Sequence, residues 1–361
     1  MYSEEDINSA VAAGAISAEA ASSFRDHMTR VRQLPRASEE DFRLINSFND
    51  IFVSIGVVIL LVAMSAIGSA IGWNEPASAM LGGAFVAAAA WPLSEFFTKR
   101  RRMALPSIIL LLAFVGGTFA AFLGAGISII GEGSERLGAI VGATAALIAA
   151  GAAFVHWRRF MVPITVAAGA AAVAGTIIGL IVAAIGPENS NETTLFGLMF
   201  VAGLAVFGVA MRWDISDRER ITRRSDVAFW LHLLAAPMIA HPIFAMFGVT
   251  EGDDLGIGAA IGVLAVYVGF GLVALAIDRR ALLVSALAYV LFALTFLFRE
   301  FGAVELNFAL TALVIGSALL SLSAFWQPIR RSVVGMLPAD LQGKLPATQD
   351  AALAPVQASA A

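Results

Sequence analysis

Cysteine is absent from all 361 residues, and only 14% of the residues carry a charge. The first absence excludes disulfides, thiolate nucleophiles, thiolate zinc sites and cysteine-held clusters. The second, beside 59% apolar residues and a mean hydropathy of +0.84, excludes a water-soluble domain, whose surface would carry large apolar patches. Charge is scarcest inside the long apolar runs, where Asp, Glu, Lys and Arg are confined to run ends and connections. That removes the usual equipment of proton pumps, voltage sensors and carboxylate-based sodium sites, and predicts a bundle without buried charge. No HExxH, GxSxG or Walker sequence occurs, and no run holds paired carboxylates. The expectation is a non-enzymatic protein with no metal, no cofactor and no nucleic-acid partner.

What remains is a series of ten apolar runs, at 51–72, 76–97, 104–130, 137–155, 161–186, 195–211, 227–249, 257–277, 281–298 and 308–326. Each approaches the span of about 20 residues that crosses roughly 30 Å of hydrocarbon. Lipid offers no partner to an open backbone, so each run must be a helix, and the alternating pattern of a membrane barrel is missing. The predicted fold is an all-α polytopic transmembrane bundle of about ten spans.

Lys and Arg orient it. The connections after even-numbered spans hold fifteen, in clusters at Lys99 to Arg102, Arg158 and Arg159, Arg212 to Arg224, Arg279 and Arg280, and Arg330 and Arg331. The opposite connections hold only Arg136 and Arg299. The asymmetry places the basic side and both termini in the cytoplasm. Trp91, Trp157, Trp213, Trp230 and Trp326 fall near the same ends, the depth that amphipathic rings prefer, and Trp73 marks the outer side. An arginine pair opens a new span near Arg101, Arg158, Arg223 and Arg279, which fits stacked helical hairpins. A two-span period also follows from inside-positive loops alone.

Residues 1–50 read as a cytoplasmic helical segment with no signal-peptide pattern. Capping boxes stand at Ser3 with Asp6 and Ser38 with Asp41, Gly14 suits a helix end, and Ser17 caps a second helix. Phe42, Ile45, Phe48 and Phe52 form an apolar stripe leading into the membrane. Residues 51–326 form the transmembrane domain. Residues 327–361 form a cytoplasmic tail, mostly disordered, Ala, Gln and Pro rich after Pro338.

The seventh run, VAFWLHLLAAPMIAHPIFAMFGV, carries His232, His241, Pro237 and Pro242. Prolines free carbonyls in a helix and histidine titrates near neutrality, so these four are the candidates for a substrate path. Nine residues at 100° each put the two rings on opposite faces, so they do not share a metal in a straight helix. Glu95 is expected to pair with Lys99 one turn on, or to snorkel. Small-residue pairs such as Gly68 with Gly72 and Gly138 with Gly142 suit close helix packing, or a homo-oligomer face. The acidic outer loops read as a solvated face, and Asn191 to Thr193 is a glycosylation sequon.

The Gly14, Ala15, Ile16, Ser17 turn ahead of a long multi-span region resembles bacterial predicted multi-pass membrane proteins that have no assigned activity. That resemblance implies the bacterial cytoplasmic (inner) membrane. Span count, inside termini and short loops also resemble the ten-span drug and metabolite transporters, without a shared motif. The expected activity is binding or transport of a small-molecule substrate within the bundle, in a lipid bilayer. The competing expectation is a scaffold or regulator that recruits a cytoplasmic protein partner through residues 1–50 and the 212–226 loop.

Overall fold

The computed structural model describes residues 4–24, 48–131, 134–218, 220, 222–248, 256–301 and 306–346. No strand occurs among the described residues. Two short helices, α1 (Glu4–Ala12) and α2 (18–24), are joined by a turn in which Gly14 adopts φ 70° and Ser17 Oγ accepts from the Ala20 amide at 3.0 Å. Both residues act as the capping signals require. Ser3, the Ser38 to Asp41 box, Phe42 and Ile45 lie outside the described residues, while Phe48 and Phe52 are exposed on the first span.

Among the described residues, ten helices are long and apolar enough to cross a membrane. They are α3 (Phe48–Ile71), α4 (Glu75–Leu93, continued by a π-helical Ser94–Arg100), α5 (Ala104–Ile130), α6 (Glu135–Phe160) and α7 (Ile164–Ile185). Then follow α8 (Glu192–Ser216), α9 (Arg223–Ala245), α10 (Ile257–Ile277), α11 (Ala281–Glu300) and α12 (Asn307–Ala324). The chain is therefore an all-α integral membrane protein. Two further helices, α13 (Trp326–Gly335) and α14 (Ala339–Gln342), follow the last span. The expected disorder after Pro338 does not begin there: Leu345 is buried with Ile277 and Val334.

The turns between spans recur. Among the described residues, the only non-glycine residues with left-handed backbone are Arg102, Met161, Arg220 and Asp278. One lies in each junction at the basic end, before α5, α7, α9 and α11, and successive ones are 59, 59 and 58 residues apart. At the other end Asn74, Ser134 and Asn191 each accept, through a side-chain oxygen, the amide three residues on, capping α4, α6 and α8. The sequon asparagine is thus a helix cap. A bundle of tandem helical hairpins accounts for both series, whereas a charge bias accounts for neither.

Glycine lets the hairpins close up. A Cβ on Gly83 would meet the Gly117 carbonyl oxygen at 2.6 Å, and one on Gly117 would meet the Gly83 carbonyl oxygen at 2.7 Å, so α4 and α5 touch backbone to backbone. Of the sequence-predicted pairs, Gly68 and Gly72 do the same work, while Gly138 and Gly142 face open space.

At the bundle's middle stands α9, packed on α7, α8 and α11. Its membrane-length core is 56% buried, against 33% or less for each of the other nine. Chain direction alternates so that the basic junctions meet: Glu95 of α4 binds Arg159 of α6 at one end, and Arg136 faces Glu188 across 3.6 Å at the other.

Gly117→Ala is expected to lower the thermal midpoint in detergent, since overpacking of this kind costs about 1–3 kcal/mol. Gly116→Ala, which adds its methyl to open space, should leave the midpoint where it is or raise it.

Candidate functional site

The polar heart of the bundle lies at the basic end of α8 to α11. Asp214 stands two residues before the end of α8, is 2% exposed, and accepts from Arg279 Nη2 at 2.7 Å and His232 Nε2 at 2.9 Å. Arg279 follows α10, is itself buried, and donates also to the Ser225 carbonyl at 3.1 Å and Ser225 Oγ at 3.3 Å. Because a carboxylate only accepts, the His232 proton sits on Nε2; its Nδ1 is buried without a hydrogen-bond partner. Phe207 meets the imidazole edge-on at 5.1 Å.

A second carboxylate completes the cluster. Asp278 accepts from Arg220 Nη1 at 2.9 Å and Trp326 Nε1 at 2.7 Å, with Arg330 Nε 3.6 Å away. The left-handed backbone of Arg220 is uncommon for so long a side chain. It is held by three acceptors: Asp278 Oδ2 and the carbonyls of Ile277 (3.1 Å) and Asp278 (3.2 Å). Burial pulls the Arg220 and Arg330 guanidinium groups below their ordinary range and Asp278 pulls both back up; an arginine in a protein keeps its proton throughout. Arg218 donates to the Leu345 carbonyl at 2.9 Å and Arg330 to the Pro346 carbonyl at 2.7 Å. The residues after α12 therefore fold back and seal this end.

Burying these groups overturns the expectation of a bundle without buried charge. In the sequence each sits at a span end, where it reads as solvated; α13 and residues 337–346 cover it only in three dimensions. The Arg279 and Arg280 pair illustrates the loss of information: the first is buried on Asp214 and the second is exposed.

The four candidates of the seventh run do not form one site. His232 belongs to the Asp214 cluster, while His241 lies nine residues along α9 with Nδ1 2.6 Å from the Tyr289 hydroxyl and its ring edge-on to Phe196 at 5.2 Å. The helix continues unbroken through Pro237 and Pro242. Pro242 helps line a groove of about 270 Å³ between the start of α8 and the end of α9, with Glu192, Phe196, Phe200 and Met246. Glu95 binds Arg159 in a two-point contact at 2.6 and 3.0 Å, and Lys99 stands off at 4.0 Å, so the expected local pair is the lesser one. Sequence inspection also passed over His156, which is fully buried against Trp91, Phe114 and Phe160.

No family model, curated protein or solved structure matches the chain.

Asp214→Ala strands Arg279 in the interior, and loss of one partner from a buried pair costs about 3–5 kcal/mol. A large drop in thermal midpoint in detergent is expected, deeper than that of Glu95→Ala at the exposed pair. Trp326→Phe removes the donor to Asp278 together with part of a buried ring, and should cost at least the about 1.5–3 kcal/mol that a hydrogen bond to a charged group is worth.

Proposed function

We propose that the protein binds and moves a small amphipathic molecule along α8 and α9, entering at the groove and stopped at the far end by the Asp214, His232 and Arg279 cluster. The observation that carries this reading is that the same helix pair is parted at one end and clasped by buried charge at the other. Buried ion pairs contribute little net stability, and in a membrane bundle they mark a working site more often than a structural one. Movement would require the clasp to open and the groove to close. The groove is lined mostly by aromatic and aliphatic side chains, with the Glu192 carboxylate at its rim, which suits an apolar body bearing a positive charge.

The rival reading, a scaffold that recruits a partner through residues 1–50 and the 212–226 loop, draws less support. Asp214 and Arg220 of that loop turn inward on Arg279 and Asp278, Asp217 is taken up by Thr222 of the same loop, and Arg218 donates to the Leu345 carbonyl. The arginine asymmetry supports cytoplasmic placement of both termini, and the resemblance to bacterial multi-pass proteins is what supports a bacterial inner membrane.

Benzyltrimethylammonium uptake into proteoliposomes tests the reading. The protein should accelerate it over empty vesicles. Gly197→Leu, whose side chain grows into the groove without meeting another atom first, should abolish the acceleration, and Gly208→Leu, equally unobstructed but elsewhere on α8, should not. His241→Ala, which removes the ring packed on Phe196 of the groove wall, should slow it. Uptake no faster than in empty vesicles, or unaffected by Gly197→Leu, would remove the groove from the account.

A further inference from the structure

A second groove lies at the basic end, where α11 and α12 part to leave about 190 Å³. Leu283 and Leu287, one turn apart on α11, face Leu319 and Leu322 of α12, and Arg280, Ser323 and Trp326 stand around the mouth. From Arg280 to Leu287 the groove runs about 10 Å along the helix, from headgroup depth into hydrocarbon. Its walls are apolar and its mouth is cationic.

The state of Arg280 distinguishes it from its neighbours. Arg220 and Arg279 have carboxylate partners, and Arg330 stands beside one. Arg280 is exposed, and among the described residues no carboxylate pairs with it. Its guanidinium lies 4.7 Å from the centre of the Trp326 ring, and the indole is fixed from behind by its hydrogen bond to Asp278. The cation is thus held in place over the groove by a stacking surface that leaves its N–H donors open.

We infer that this is a binding site for one anionic phospholipid, the phosphate on Arg280 and Ser323 and one acyl chain between α11 and α12. Charge complementarity selects the headgroup, and the apolar walls select a chain over a free ion. The cluster behind the site contains Asp278 and Trp326, so an occupied groove would brace α12 and α13 against the clasp.

Native mass spectrometry of the full chain in neutral detergent, with equimolar phosphatidylglycerol and phosphatidylcholine of matched chains, tests the inference. One phosphatidylglycerol should be retained in about fivefold preference, the increment expected of a single arginine near a headgroup. Arg280→Gln should bring the ratio to about one, whereas Arg223→Gln, another exposed arginine at the same end, should leave it unchanged. Leu319→Trp, which fills the groove, should also abolish the preference, and it decides the matter alone if Arg280→Gln does not fold. Equal retention by the unaltered protein, a preference that survives either substitution, or displacement of the lipid by millimolar inorganic phosphate would overturn the assignment.

Discussion

A charge withdrawn from water must be met by another, and in this bundle the meeting points are Asp214 and Asp278. Asp214 ties α8 to α9 through His232 and to the α10–α11 junction through Arg279. Asp278 ties that junction to the α8–α9 connection through Arg220 and to α13 through Trp326. Neither carboxylate is left with one partner, as the desolvation cost requires. Four spans, a surface helix and the chain beyond it are consequently fixed by two side chains. The arrangement of α9 follows, because the helix that bears His232 has to be surrounded for its imidazole to stay dry.

The geometry of the basic-end junctions makes such a cluster possible. A single left-handed residue reverses the chain at each of them, so the arginines and aspartates beside the turn are delivered to one level of the bundle. Arg220 and Asp278 are at once turn residues and ion-pair partners. Strain in a left-handed backbone persists only where surrounding contacts hold it, and these two hold each other. Arg102 and Met161 occupy the equivalent turns in the first half of the bundle, where the described residues form no comparable buried charge cluster. The hairpin repeat thus supplies a common frame, which the second half has filled with charge.

The sequence made the spans legible because lipid imposes a length and a composition that few other structures share. All ten apolar runs became helices, and Ser17 and Gly14 behaved as caps. The site was less legible for a physical reason. Asp214 and Arg279 are 65 residues apart, and each flanks an apolar run, the position in which a charge is cheapest and carries least information. His232 stands out in the sequence as an ionisable side chain inside an apolar run, but its partner lies on another helix, and no spacing rule connects α8 to α9 at that register. Leu345 and Trp326 sealed the cluster from segments that read, by composition, as tail and headgroup anchor.

Everything rests on the basic junctions sharing one face of a ten-span bundle. A chain without cysteine permits the direct measurement, with single cysteines placed at Arg102, Arg158, Arg224 and Arg331 and, at the opposite ends, Gly131 and Glu188. Sealed vesicles of each orientation are treated with a membrane-impermeant maleimide. The account predicts that the first four react from one face alone and the last two from the other alone. Reaction of any one of the four from the same face as Gly131 would contradict it.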